Sequence, residues 1–347
     1  MSHRTLDKTK LAACLERLAT SYRLIAPVVD RTGTAFSSIE EVGAVCLDGR
    51  NTTLSVKDVA FPQTEVLLTF RGDEASVSPD DPPETVLFGA RPCDTRGLTL
   101  LDRLFGANEI DDPYYGRRRE RLAVVSLACN EAGPSCFCTS VGGAPGDATG
   151  ADVLASDLGN TFLFRAVTER GADLLSKLDE FTEGADEEAV SRADALAEGA
   201  AKQMARVTVP RDPQGLMDTF DSEVWDELAL GCLGCGACTY SCPTCHCFDI
   251  TDESHRGVGR RVRSWDTCAF LLFTRHSSGH NPRPVKSARL RQRILHKFAY
   301  CPENLGDAFC VGCGRCVTVC PTGLDLRRIL GRLDEAVSPS GKEVTSQ

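Results

Sequence analysis

Along residues 6–28 apolar side chains recur at helical spacing (Leu11, Leu15, Leu18, Leu24), which predicts an opening helix. Short β-prone runs follow at 42–47, 65–70, 85–89 and 122–128, separated by Gly, Pro and Asp clusters of the kind that end strands. Residues 95–105 carry a helical pattern between two of these runs, and 161–168 reads as a further strand. Together they predict an α/β-type domain over residues 1–168. Residues 169–198 hold ten Asp or Glu against three Arg or Lys and read as solvated helices within a connector spanning 169–215. The stretch PRDPQG at 210–215 closes that connector. A Cys-rich, mainly helical domain is expected over 216–335, followed by a polar, flexible tail at 336–347. The predicted fold class is α+β.

Composition narrows the class without naming a function. The chain has 347 residues, 42% hydrophobic and 25% charged, which excludes a disordered, collagen-like or fibrous protein. A net charge of −10 argues against the whole surface binding nucleic acid. Residues 1–23 carry scattered charges and lack the apolar centre of a secretory leader. The apolar run at 268–273 is far short of the roughly 20 residues that span a bilayer. The expectation is a cytoplasmic protein with no membrane contact. In that setting the eighteen cysteines read first as metal ligands and not as disulfides.

One repeat carries most of the chemistry. Residues 232–243 read CLGCGACTYSCP and 310–321 read CVGCGRCVTVCP, with seven of twelve positions identical, all Cys, Gly or Pro. Each copy is C-x2-C-x2-C-x3-C-P, the run that binds [4Fe–4S] clusters in two-cluster ferredoxins, where the fourth cysteine of each run serves the other cluster. The spacing therefore predicts Cys232, Cys235, Cys238 and Cys320 on one cluster and Cys310, Cys313, Cys316 and Cys242 on a second. Gly234, Gly236, Gly312 and Gly314 allow the tight loop that brings backbone N–H groups toward cluster sulfur. Zinc ribbons use paired C-x2-C hooks instead.

Other features are less specific. Cys93, Cys129, Cys136 and Cys138 lie in strand-to-loop segments, and by spacing alone they fit a third cluster, a four-thiolate zinc site, a redox thiol pair or inert burial. Cys245, Cys247 and Cys268 read as buried near a cluster, with no assigned role. Residues 254–300 form a basic insert, with eleven Arg or Lys against Asp266 alone. It fits a docking face for an acidic partner or a source of positive charge near clusters; it lacks the interleaved aromatics of a nucleic-acid surface. No G-x-G-x-x-G follows a strand and no P-loop is present, so no flavin or NAD(P) site is read on this chain.

The segments GARPCDTRGL (89–98), DPYYGRRRE (112–120), CNEAGPSCFCTSVG (129–142), CGACTYSCPTCHCFD (235–249), RSWDTC (263–268) and SGHNPRP (278–284), with the distal run, resemble the iron–sulfur β subunits of sulfhydrogenases (NAD(P)-linked [NiFe] hydrogenases). They also resemble the related iron–sulfur subunits of anaerobic sulfite reductases and of heterodisulfide-reductase-linked complexes. The resemblance implies a non-catalytic relay of single electrons between a flavin- and NAD(P)-reacting subunit and a hydrogenase or reductase subunit. It also implies that Cys93, Cys129, Cys136 and Cys138 hold a third [4Fe–4S] cluster.

Overall fold

The computed structural model describes residues 3–31, 33–77, 81–106 and 111–337. Its strands are β1 (His3–Asp7), β2 (Arg23–Asp30), β3 (Gly33–Ser38), β4 (Thr64–Arg71), β5 (Glu74–Val77), β6 (Thr85–Ala90), β7 (Leu122–Leu127), β8 (Val153–Asp157), β9 (Thr161–Ala166), β10 (Thr182–Gly184), β11 (Phe248–His255) and β12 (Val258–Trp265). Eight of them form one sheet in the order β10-β1-β9-β8-β7-β6-β2-β3. Its centre, β2-β6-β7-β8, is parallel. β6 and β7 are buried along their whole length, which explains why both read as unbroken apolar runs.

Helices cover both faces of this sheet. On one side α1 (Leu11–Ala19) contributes Leu15 and Leu18 to a core with Val86, Phe88, Val125 and Phe164. On the other, α2 (Pro92–Phe105) and α3 (Pro113–Glu120) place Leu98, Leu101 and Tyr115 against Leu87, Leu122 and Val124. Within the acidic segment, α4 (Glu169–Ser176) packs Leu174 and Leu175 into the first core, and α5 (Glu187–Gln203) lays Ala193 on Leu158 and Leu163. These helices belong to the sheet's covering layer as well as to its connection.

The C-terminal half is built from short helices: α6 (Pro213–Asp218), α7 (Val224–Ala229), α8 (Ala237–Tyr240), α9 (Lys286–Leu295), α10 (Cys301–Leu305), α11 (Arg315–Thr318) and α12 (Leu326–Val337). Leu216, Trp225, Leu290, Ile294 and Leu330 form their common core. The α+β class is borne out, but this half also contains the β11–β12 hairpin, so helices do not describe it alone. That hairpin reaches the N-terminal half: β12 pairs with β4, Glu65 opposite Arg263, in a four-stranded sheet ordered β11-β12-β4-β5. One sheet thus spans residues 64–77 and 248–265.

Three expectations are corrected. The opening helix over 6–28 is a strand, a helix and a strand. Pro27 and the β-branched Ile25, Val28 and Val29 favour extended chain, and Leu24 and Ala26 face one core while Ile25 faces the other. The run at 42–47 is a 3-10 turn at Val42–Ala44 followed by a single bridge from Val45 to Val28, because β3 already occupies that edge of β2. In the expected tail, Ala336 and Val337 complete α12; residues 338–347 lie outside the described part.

Arg263 ties the four-stranded sheet to α2 and α3, which cover the larger sheet. Its buried guanidinium pairs with Glu65 and Asp112, among the rings of Phe61, Phe105, Tyr114 and Phe248. Removing one partner of such a pair strands the other charges in the interior, at a cost of about 3–5 kcal/mol. Arg263→Met should lower stability by that order in denaturant unfolding. Arg260→Met, which breaks only the exposed pair with Glu253, should stay within about 0.5 kcal/mol. Equal effects would remove Arg263 as the joint.

Candidate metal centres

The two copies of the repeat fold alike. In each, the second glycine (Gly236 at φ 77°, Gly314 at φ 73°) starts a one-turn helix, α8 or α11, that carries the third cysteine. Cys232, Cys235 and Cys238 line one cavity with Cys320, the last cysteine of the other copy, and Cys316 of that copy reaches the same cavity. Cys242 instead lies beside Cys310, Cys313 and Cys316, within electrostatic reach of all three. The fold thus brings Cys320 to the proximal run and Cys242 to the distal run, with Cys316 bordering both.

The N-terminal cysteines meet as well. Cys93 sits in the first turn of α2, Cys129 follows β7, and Cys136 and Cys138 flank Phe137 in the next loop. Cys129 interacts with Cys93, Cys136 and Cys138. Arg91 fixes the surrounding turns by donating to the carbonyls of Arg50 (2.8 Å), Leu47 (3.1 Å) and Ala128 (3.2 Å).

This group is docked on the distal run. The Phe137 N–H donates to the Gly312 carbonyl at 2.8 Å, and Phe137 itself is buried in the C-terminal core. A Cβ on Gly312 would lie 2.6 Å from the Cys138 backbone, and one on Gly314 2.4 Å from the Ser135 carbonyl. Only glycine permits so close an approach at these positive φ values. Asn51 donates to the Cys313 carbonyl at 2.9 Å. Arg315, wholly buried, makes a bidentate pair with Asp94 at 2.7 and 2.9 Å and donates to the Thr52 carbonyl at 2.8 Å. Asp94 is the neighbour of Cys93, so this ion pair sets the N-terminal thiols against Cys313.

The electrostatics follow burial. It pushes the Cys138 thiol up to about 12, Cys310 to about 11, and Cys93, Cys129, Cys313 and Cys316 upward. Two ligand candidates go the other way: a hydrogen bond from Cys245 and the nearby Lys297 hold Cys242 well below the usual range, and, against its burial, hydrogen bonds from Thr322 and nearby backbone N–H groups lower Cys320. The Lys297 ammonium is 3.4 Å from the Cys242 sulfur and also donates to Thr244 and the Phe309 carbonyl.

Arg293 tests whether these residues fit iron–sulfur clusters. It is buried, lines the cavity of the proximal group, and lies beside Cys238 and Cys316, between the two sets. Its Nε and Nη2 have no acceptor. Buried N–H groups of a cation are rarely left so, and the sulfurs of a cluster would accept from them. None of the eighteen cysteines is paired in a disulfide.

Sequence reasoning missed Asp94, Arg315 and Arg293. One signal was available: the repeat has Ala237 where its second copy has Arg315. The basic insert also looks different in the fold. Arg260, Arg261 and Arg263 pair with Glu253, Asp252 and Glu65, and Arg293 and Lys297 turn inward.

Comparison with known proteins agrees with this geometry. The family model of the 4Fe-4S dicluster domain matches residues 231–324, so this part of the chain is an iron–sulfur dicluster domain. Over 92% of its length the chain is similar to the β subunit of sulfhydrogenase 2 from Pyrococcus furiosus, with 29% identity covering 95% of that protein. The resemblance read from the motifs is thus borne out across nearly the whole chain. No solved structure matches it significantly. No described helix is long and apolar enough to cross a membrane.

If Arg293 faces cluster sulfur, Arg293→Met should retain iron yet lower a cluster potential, since a lost positive charge disfavours the more negative reduced form. Redox-poised EPR of the iron-loaded chain measures this. An unchanged potential would remove Arg293 from the cluster environment.

Proposed function

We propose that this chain is the iron–sulfur electron-transfer subunit of a cytoplasmic multi-subunit oxidoreductase. The observation that carries the reading is the crossed placement of Cys320 and Cys242, with the N-terminal thiols docked on the distal run. Cys232, Cys235, Cys238 and Cys320 would hold one [4Fe–4S] cluster, Cys310, Cys313, Cys316 and Cys242 a second, and Cys93, Cys129, Cys136 and Cys138 a third. When bound, such clusters accept and release single electrons.

The side chains then do three things. Twelve thiolates occupy every protein-facing iron position in these sets, which leaves substrate chemistry to partner subunits. Arg293 and Lys297 supply positive charge beside the two ferredoxin-type sets. Asp94 and Arg315 keep the third set against the second. The adjacency of Cys238 to Cys316 and of Cys313 to Cys93 supports a linear order: proximal, distal, N-terminal.

Partners follow from the same placement. Cys235 and Leu233 are exposed, Phe270 stands partly out to solvent beside Gly236, and Lys286 and Arg289 lie at the cavity wall. Such an apolar rim suits a subunit docking close to the proximal cluster. The named relative, a sulfhydrogenase subunit, favours a hydrogenase subunit on one side of the relay, and the motif resemblance implies a flavin- and NAD(P)-reacting subunit on the other, with no flavin or NAD(P) held by this chain.

Serine at either crossing position tests the ligation. Cys320→Ser should alter the EPR signature of the proximal cluster and Cys242→Ser that of the distal one, each sparing the other. The reverse assignment would overturn the crossed scheme. An anaerobically prepared chain with stoichiometric zinc and little iron would overturn the function.

A further inference from the structure

Cys245, Cys247 and Cys268 belong to neither ferredoxin-type run, yet they converge beside the distal group. Their sequence repeats the N-terminal loop: PTCHC at 243–247 matches PSCFC at 134–138 in the proline and both cysteines, with Thr for Ser. The central residue is engaged elsewhere in both. Phe137 is in the C-terminal core, and His246 packs against His296 and Phe309 with its Nδ1 3.0 Å from the Thr244 carbonyl. The Cys247 and Cys268 thiols hydrogen-bond to one another, as do those of Cys242 and Cys245. The Asp266 N–H donates to the Cys247 carbonyl at 2.9 Å and holds the two segments together.

Charge is the second, independent observation. The buried charged side chains among the described residues are Lys57, Arg263, Arg293, Lys297 and Arg315 against Glu65 and Asp94 alone. Arg263 takes Glu65, and Arg315 takes Asp94. Arg293 faces Cys238 and Cys316, and Lys297 donates to Cys242. That leaves Lys57. Its ammonium donates to the carbonyls of Cys245 (2.9 Å) and Thr239 (3.3 Å) and lies 4.0 Å from the Trp265 ring. Neutral carbonyls do not balance a buried charge, and the acidic groups around it are Cys245, Cys242 and Cys247.

We infer that Cys245, Cys247 and Cys268 hold a further iron–sulfur cluster, with Lys57 as its buried counter-cation. The inference rests on the iron–sulfur reading of the repeat. Cys242 remains with the distal run, so the chain gives this site three thiolates. Iron would be held by these residues as thiolates, any remaining thiol proton passing to solvent, and the thiolate charge balances Lys57. The site lies beside the distal set, so it forms a branch of the relay and not an extension of its N-terminal end.

The test uses the full chain prepared anaerobically with ferrous iron and sulfide, with iron and sulfide counted and 57Fe Mössbauer spectra recorded. The triple variant Cys245→Ser/Cys247→Ser/Cys268→Ser should lose one cluster, about four irons per chain, and keep the EPR signals of both ferredoxin-type clusters. Lys57→Met should keep the iron and lower one potential. A triple variant with the full iron count overturns the inference. The companion Cys235→Ser/Cys313→Ser separates the two readings: if it loses iron while the triple variant does not, only this inference falls. If the triple variant does not fold, Cys268→Ala alone, checked by circular dichroism, is decided by the same iron count.

Discussion

The interior of this chain holds more positive charge than its buried carboxylates can balance. Arg263 and Arg315 are met by Glu65 and Asp94, whereas Lys57, Arg293 and Lys297 face thiols and main-chain carbonyls. Burial raises Cys310, Cys313 and Cys316, whereas Cys242 beside Lys297 is held low, so without iron the thiols offset these cations only in part. Iron binding converts them to thiolates and resolves the imbalance. The same charges that make the metal-free interior costly would stabilise the reduced, more negative clusters.

A second constraint joins the halves. The Arg315–Asp94 pair, the Phe137–Gly312 hydrogen bond and the β4–β12 pairing all cross from the N-terminal sheet to the Cys-rich region. Two of the three act within a few residues of predicted ligands. A relay needs its centres close and fixed, and these contacts fix the N-terminal thiols to the distal run while leaving the proximal run near solvent. The division of labour follows: one end faces the large sheet, the other an exposed apolar rim.

Much of this was legible in the sequence because short-range spacing dictates it. The two C-x2-C-x2-C-x3-C-P runs predict the tight loops and the crossing, though not the one-turn helices that carry the third cysteines. The buried runs of β6 and β7 were clear for a similar reason, since both faces are covered. What depends on long-range contact was hidden. Nothing local in Leu6 or Leu24 distinguishes a strand from a helical stripe until the sheet assembles around them. The β11–β12 hairpin reads as a charged insert because its partner strand lies far earlier in the chain, with Glu65 opposite Arg263. Nothing local singles out Asp94, and only the fold shows its partner to be Arg315.

The most direct test of the charge account is hydrogen exchange along residues 286–300, which carry Arg293 and Lys297, in iron-loaded and iron-free full chain. The account predicts strong protection of these amides with iron bound and marked loss of protection without it. Equal protection in both states would show that Lys57, Arg293 and Lys297 are accommodated without cluster sulfur, and would contradict it.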